Sequence, residues 1–94
     1  MNQYELMCII HPDLDDVSFK DSVNKITGWI NELNGKIEKT DIWGRRRLAY
    51  EIRKQREGQY VLFNMSMSPA SITSLEQNLR FLEPLMRHML VALD

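Results

Sequence analysis

The chain has 94 residues, 44% hydrophobic and 27% charged, with a formal net charge of −1 and a single cysteine. That length supports one domain, residues 1–94, and one compact core, without room for a large enclosed substrate chamber. One cysteine excludes an internal disulfide and a four-cysteine zinc site, and the longest apolar runs, residues 6–10 and 89–93, fall far short of the ~20 that span a bilayer.

Tyr4, Leu6, Cys8 and Ile10 alternate with Glu5, Met7 and Ile9, so the first strand is apolar on both faces and is expected to be central. His11-Pro12-Asp13 ends it, because proline donates no ladder hydrogen bond. Asp15 or Asp16 then caps a helix whose apolar stripe is Phe19, Val23, Ile26, Ile30 and Leu33, and Asn34-Gly35 supplies a left-handed stop. Residues 36–48 read as a long strand, irregular at Trp43-Gly44. The polar stretch 51–57 reads as a connection closed by Gly58, and residues 59–67 as the strand that completes a hairpin. Ser68-Pro69 opens a second helix with Ile72, Leu75, Leu79 and Leu82 on one side; Glu83-Pro84 ends it, and residues 85–93 form the last strand.

Strand, helix, strand, strand, helix, strand, with right-handed crossovers, is the ferredoxin-like α+β sandwich: a four-stranded antiparallel sheet with two helices on one face. Two helices cover only one side of such a sheet. Met7, Ile9, Tyr60 and Leu62 therefore project from the other, where a solvated face would carry polar residues. These four are the candidate surface for a protein partner.

Charge is unevenly spread. Residues 36–56 hold eight basic side chains against three acidic ones, two thirds of all the lysine and arginine in the chain, while both flanks are acidic. Arg45-Arg46-Arg47 on an extended segment sends guanidinium groups to both strand faces, and Trp43 and Tyr50 add rings able to stack on bases. Lys39, Trp43, Arg45, Arg46, Arg47, Tyr50, Arg53, Lys54 and Arg56 are accordingly the candidate RNA contacts. A charged edge strand that blocks sheet-to-sheet aggregation is the simpler alternative for the arginines.

No enzymatic site is expected. Phosphate chemistry on this topology needs a cradle of backbone amides after the first strand, and that loop here carries a proline and three aspartates. Cys8, His11 and His88 make a poor metal set, since Cys8 and His11 point to opposite faces of a strand. No cofactor and no small-molecule substrate is implied.

Tyr4-Glu5, Pro12, Gly35-Lys36-Ile37, the run Asp41-Ile42-Trp43-Gly44-Arg45-Arg46-Arg47-Leu48-Ala49-Tyr50, Gly58-Gln59-Tyr60 and Leu79-Arg80 together resemble the sixth protein of the bacterial small ribosomal subunit. Glu51 stands where that family usually has proline. The resemblance implies a structural, non-enzymatic protein of the cytoplasmic ribosome that binds the central domain of 16S ribosomal RNA jointly with the eighteenth small-subunit protein. A stand-alone RNA-recognition domain and a dimerisation module without nucleic acid are the alternatives.

Overall fold

A computed structural model describes residues 1–93; Asp94, the last residue of the expected domain, lies outside them. Six elements follow in the expected order: β1 (Asn2–Ile10), α1 (Asp16–Glu32), β2 (Lys36–Ile52), β3 (Gln55–Met67), α2 (Pro69–Arg80) and β4 (Leu85–Ala92). The sheet order is β2-β3-β1-β4, with every neighbouring pair antiparallel, so β1 is central as its two apolar faces require.

Both helices pack on one face. Tyr4, Leu6, Cys8 and Ile10 of β1 and Val61, Phe63, Met65 and Met67 of β3 meet Phe19, Val23, Ile26 and Ile30 of α1 and Leu75 and Leu79 of α2 in a single buried cluster. Burial removes water from the Cys8 thiol and pushes its pKa up to about 12. Asp15 caps α1, its Oδ1 accepting the Ser18 N–H at 2.8 Å. The same bond stabilises the carboxylate and lowers its pKa. At the other end of α1 it is Asn34 that takes the left-handed conformation, at φ 62°.

The hairpin differs from its sequence reading. Residues 51–57 are not an irregular connection: β2 continues to Ile52, β3 begins at Gln55, and Arg53 and Lys54 alone make the turn, at φ 48° and 63°. Both central residues being left-handed matches the right-handed twist of the flanking strands, which is why two-residue turns of this hand close hairpins. Three irregularities set the path of the hairpin, the first leaving Glu38 as the extra residue between Ile37 and Lys39. Between Ile42 and Gly44 the register slips by one, leaving Trp43 as the extra residue, and Gly44 at φ 82° supplies the conformation the bulge demands. Between the Arg47–Glu57 and Ile52–Gln55 pairs, residues 48–51 oppose only Arg56. The extra backbone lets the distal hairpin curl over the face the helices leave open.

There it builds a second, smaller core of Ile9, Leu48 and Met86, flanked by Ile52 and Tyr60. Gly58 sits at the crossing, and a Cβ there would collide with Ile9 Cγ2. Ile9 is therefore only 3% exposed. The expectation that it lies open beside Met7 is corrected: sheet accounting counted the helices as the only cover and missed the hairpin.

A basic hairpin beside an apolar sheet face

Alternation along β2 divides the arginine triplet. Arg45 and Arg47 share a niche of about 540 Å³ with Pro12, Asp13, Gln55, Arg56 and Glu57, between the hairpin and the β1–α1 loop. Arg45 is fixed within it, Nη2 donating to the Pro12 carbonyl at 2.6 Å and Nη1 to Glu57 Oε1 at 3.1 Å. Arg56 faces Glu51 at 3.9 Å with its side chain 78% exposed, a separation at which surface pairs contribute little. Arg47, Lys39 and Lys54 are exposed, and their cationic ends have no acceptor among the described residues.

Arg46 points the other way. Its guanidinium lies 4.9 Å from the Trp43 ring centroid, and Trp43 in turn is parallel to Tyr60, with centroids 6.3 Å apart. Trp43 Nε1 donates to Asp41 Oδ2 at 3.3 Å. Cation, indole and phenol thus form a ladder at the margin of the open face. Tyr50, 59% exposed, carries a second cation, Arg87, 5.6 Å from its centroid.

Trp43 also walls a shallow groove of about 310 Å³ with Glu5, Met7, Leu62, Met89 and Val91. Next to it, a concavity of about 260 Å³ is lined by Ile9, Leu48, Ala49, Tyr50, Ile52, Tyr60, Arg87 and Met89. The two share Met89, so an apolar strip runs along the open face from Val91 to Tyr50. Met7, Tyr60 and Leu62 lie along it, whereas Ile9 is covered. Sequence reasoning did not single out Arg87, Met89 or Val91, although the period-two alternation of residues 85–93 was the signal that one apolar set of the last strand faces outward.

Arg53 stands apart from the other expected contacts. Nη1 donates to the Glu83 carbonyl at 2.9 Å and Nη2 to the Leu85 carbonyl at 3.2 Å, tying the hairpin tip to the turn between α2 and β4. Gln59 acts similarly on the opposite side, its Nε2 donating to the carbonyls of His11 and, more distantly, Leu14.

Fold and surface together define a small ferredoxin-like domain that carries a cationic hairpin next to an uncovered apolar sheet face. The family model of ribosomal protein S6 matches residues 3–92, and the chain belongs to that family. It is 45% identical over 87 residues to the small ribosomal subunit protein bS6 of Nocardia farcinica, covering 93% of this chain and 92% of that one. The bS6 of Clostridium kluyveri is 41% identical over 91 residues, covering 97% and 96%. Among solved structures, the 30S ribosomal protein S6 of Thermotoga maritima superposes with a TM-score of 0.92 at 29% identity, over 97% of this chain and 86% of that one. A chain from the complex of the chemotaxis kinase CheA P2 domain with CheY reaches 0.66 at 14% identity and shares the fold alone. Members of the S6 family are non-enzymatic structural constituents of the small ribosomal subunit, which makes this chain a protein of the cytoplasmic ribosome.

Proposed function

We propose that the hairpin binds the central domain of 16S ribosomal RNA while the apolar strip receives the eighteenth small-subunit protein. The observation that carries this reading is the split of Arg45-Arg46-Arg47 across β2. Arg45 and Arg47, with Arg56, offer charge-assisted hydrogen bonds to backbone phosphates from one side of the hairpin, and exposed Lys54 at the turn and Lys39, set on the open-face side by its pairing with Asn64, add further cations. On the other side Arg46, Trp43 and Tyr50 border the strip through Met7, Leu62 and Tyr60, so RNA and protein meet one hairpin without competing for one surface. Arg53 serves the same hairpin in another way.

Joint binding follows from two insufficiencies. A contiguous apolar surface left to water is unfavourable, and net +5 over residues 36–56 is modest for holding a structured RNA unaided. A basic partner on the strip removes both. Titrating a central-domain RNA fragment with this protein, with the eighteenth protein and with their mixture tests the reading, and the mixture is expected to bind tighter than either by typically 1–3 kcal/mol of coupling. Equally tight binding by this chain alone overturns the joint mode. Met7→Glu and Leu62→Glu are expected to abolish the coupling by placing a desolvated charge in the groove; coupling that survives both would move the partner to an edge strand. Tight capture of any short single strand would favour an RNA-recognition domain instead, and self-association without RNA affinity a dimerisation module.

A further inference from the structure

The turn Arg53-Lys54 lacks the residues that usually close a hairpin of its hand. Left-handed backbone at both central positions is ordinarily supplied by Asn, Asp or Gly, since a Cβ disfavours it. Here a tertiary contact holds it. The two Arg53 hydrogen bonds grip carbonyls on either side of Pro84, and the Pro84 carbonyl itself accepts the His11 N–H at 2.8 Å at the end of β1. The anchor is thus part of the folded frame. The hairpin beyond Arg47 is held less firmly: residues 48–51 bulge against Arg56, and besides Arg53 its direction rests on the Ile52–Gln55 pair, the small cluster around Leu48 and the exposed Tyr50–Arg87 and Arg56–Glu51 contacts.

We propose that Arg53 is a positioning residue for RNA binding: its guanidinium latches the hairpin tip to the α2–β4 turn, holding the distal cations Lys54 and Arg56 in place beside the ladder-fixed Arg45 and Arg47 without itself meeting phosphate. The proposal rests on the reading that this hairpin carries the RNA contacts. Two guanidinium nitrogens already spent on carbonyls leave Arg53, like Arg45 with its bonds to Pro12 and Glu57, a poorer phosphate donor than the unpaired Arg47, and its planar fork spans two acceptors as a single ammonium does not. A cation set held in one geometry before binding loses less freedom on binding, and so binds tighter for the same contacts.

Arg53→Asn, Arg53→Lys and Arg47→Ala separate the roles. Asparagine tolerates left-handed backbone, so Arg53→Asn removes the latch while keeping the turn. In the free protein, amides of residues 48–58 are expected to exchange about tenfold faster in both Arg53 variants, with the α1 core amides unchanged, as loss of charge-assisted bonds implies. RNA affinity is expected to fall by up to about tenfold in both, with the slope of log affinity against log salt as in wild type. Arg47→Ala should instead lower that slope by ~0.7–0.9 and leave exchange alone. If Arg53→Lys kept full affinity while Arg53→Asn lowered the slope, Arg53 would be a phosphate contact and the proposal overturned. Unchanged exchange in Arg53→Asn would overturn the latch. Wild-type affinity and slope in Arg47→Ala would defeat the RNA reading itself, and the positioning role with it.

Discussion

The helix-covered face of the sheet and the open face use the same alternating strands, yet they are finished differently. On the covered face, residues from all six elements converge on one cluster, and Leu6, Ile26, Ile30, Phe63 and Leu75 are inaccessible to solvent. On the open face the buried apolar cluster is small, Ile9 and Met86 meeting Leu48 of a hairpin that reaches them through a bulge and is tied at its tip by Arg53; the remaining strip stays in water with Met89 40% and Val91 53% exposed. One face stabilises the domain, and the proposed function gives the other to assembly. Stability and function therefore map to different residues, and mutations should separate them.

The largest effect is expected at the covered face. Ile26→Ala and Leu75→Ala each delete a fully buried side chain and should cost about 2–5 kcal/mol in a chemical denaturation experiment. Leu48→Ala removes the hairpin's main apolar contact with Ile9 and Met86; at the thin edge of the fold the loss should be nearer that of simple re-exposure, about 1.5–3 kcal/mol. Its signature is local: amides of residues 48–58 exchange faster while those of α1 hold. A Leu48→Ala variant that loosened α1 equally would show that the two cores are one cooperative unit.

Titration of Cys8 within β1 and of Asp15 at the start of α1 sharpens the contrast at smaller cost. The folded pKa of Cys8, about 12, lies above its ordinary 9.0, so the fold favours the neutral thiol. That contribution is complete below pH 9 and is lost as pH rises towards 12. Cys8 should accordingly resist alkylation at pH 8.5 and react once the protein is denatured; rapid native-state labelling would mean the covered face opens readily. For Asp15 the sign reverses. Its pKa is lowered in the fold by the Ser18 N–H, so its contribution is present above the ordinary value of 3.8 and disappears as pH falls through the folded one. Asp15→Asn keeps a capping oxygen without the charge, so thermal melts of variant and wild type should converge as pH falls below 3.8, and curves that stay parallel through the whole acid range would remove Asp15 from the acid response.

The same contrast explains what was legible in the sequence. Everything on the covered face was encoded locally: period two in β1 and β3, stripes at three- and four-residue spacing in both helices, an aspartate before α1 and a proline opening α2. The alternation of Arg45, Arg46 and Arg47 and the bulge at Trp43-Gly44 were readable for the same reason. The distal hairpin was not. Its turn is made by Arg53 and Lys54, which carry no local preference for left-handed backbone, and the contact that holds it there joins residues 30 and more apart in sequence. A stretch of Glu, Arg, Lys and Gln then reads as a loop. Ile9 was misplaced by the same omission, because nothing near it in sequence announces that residues 48–52 fold over it.

The claim that assembly and stability reside on separate faces is tested most directly by the salt dependence of RNA binding for the triple variant Arg45→Ala, Arg46→Ala, Arg47→Ala, measured with the eighteenth protein present. Exposed strand charges contribute little to folding, so the melting transition should remain cooperative and shift by no more than about 1 kcal/mol. The slope of log affinity against log salt should fall by ~0.7–0.9 for each guanidinium that had met a phosphate. A slope identical to wild type, or a variant that fails to fold, would contradict the account.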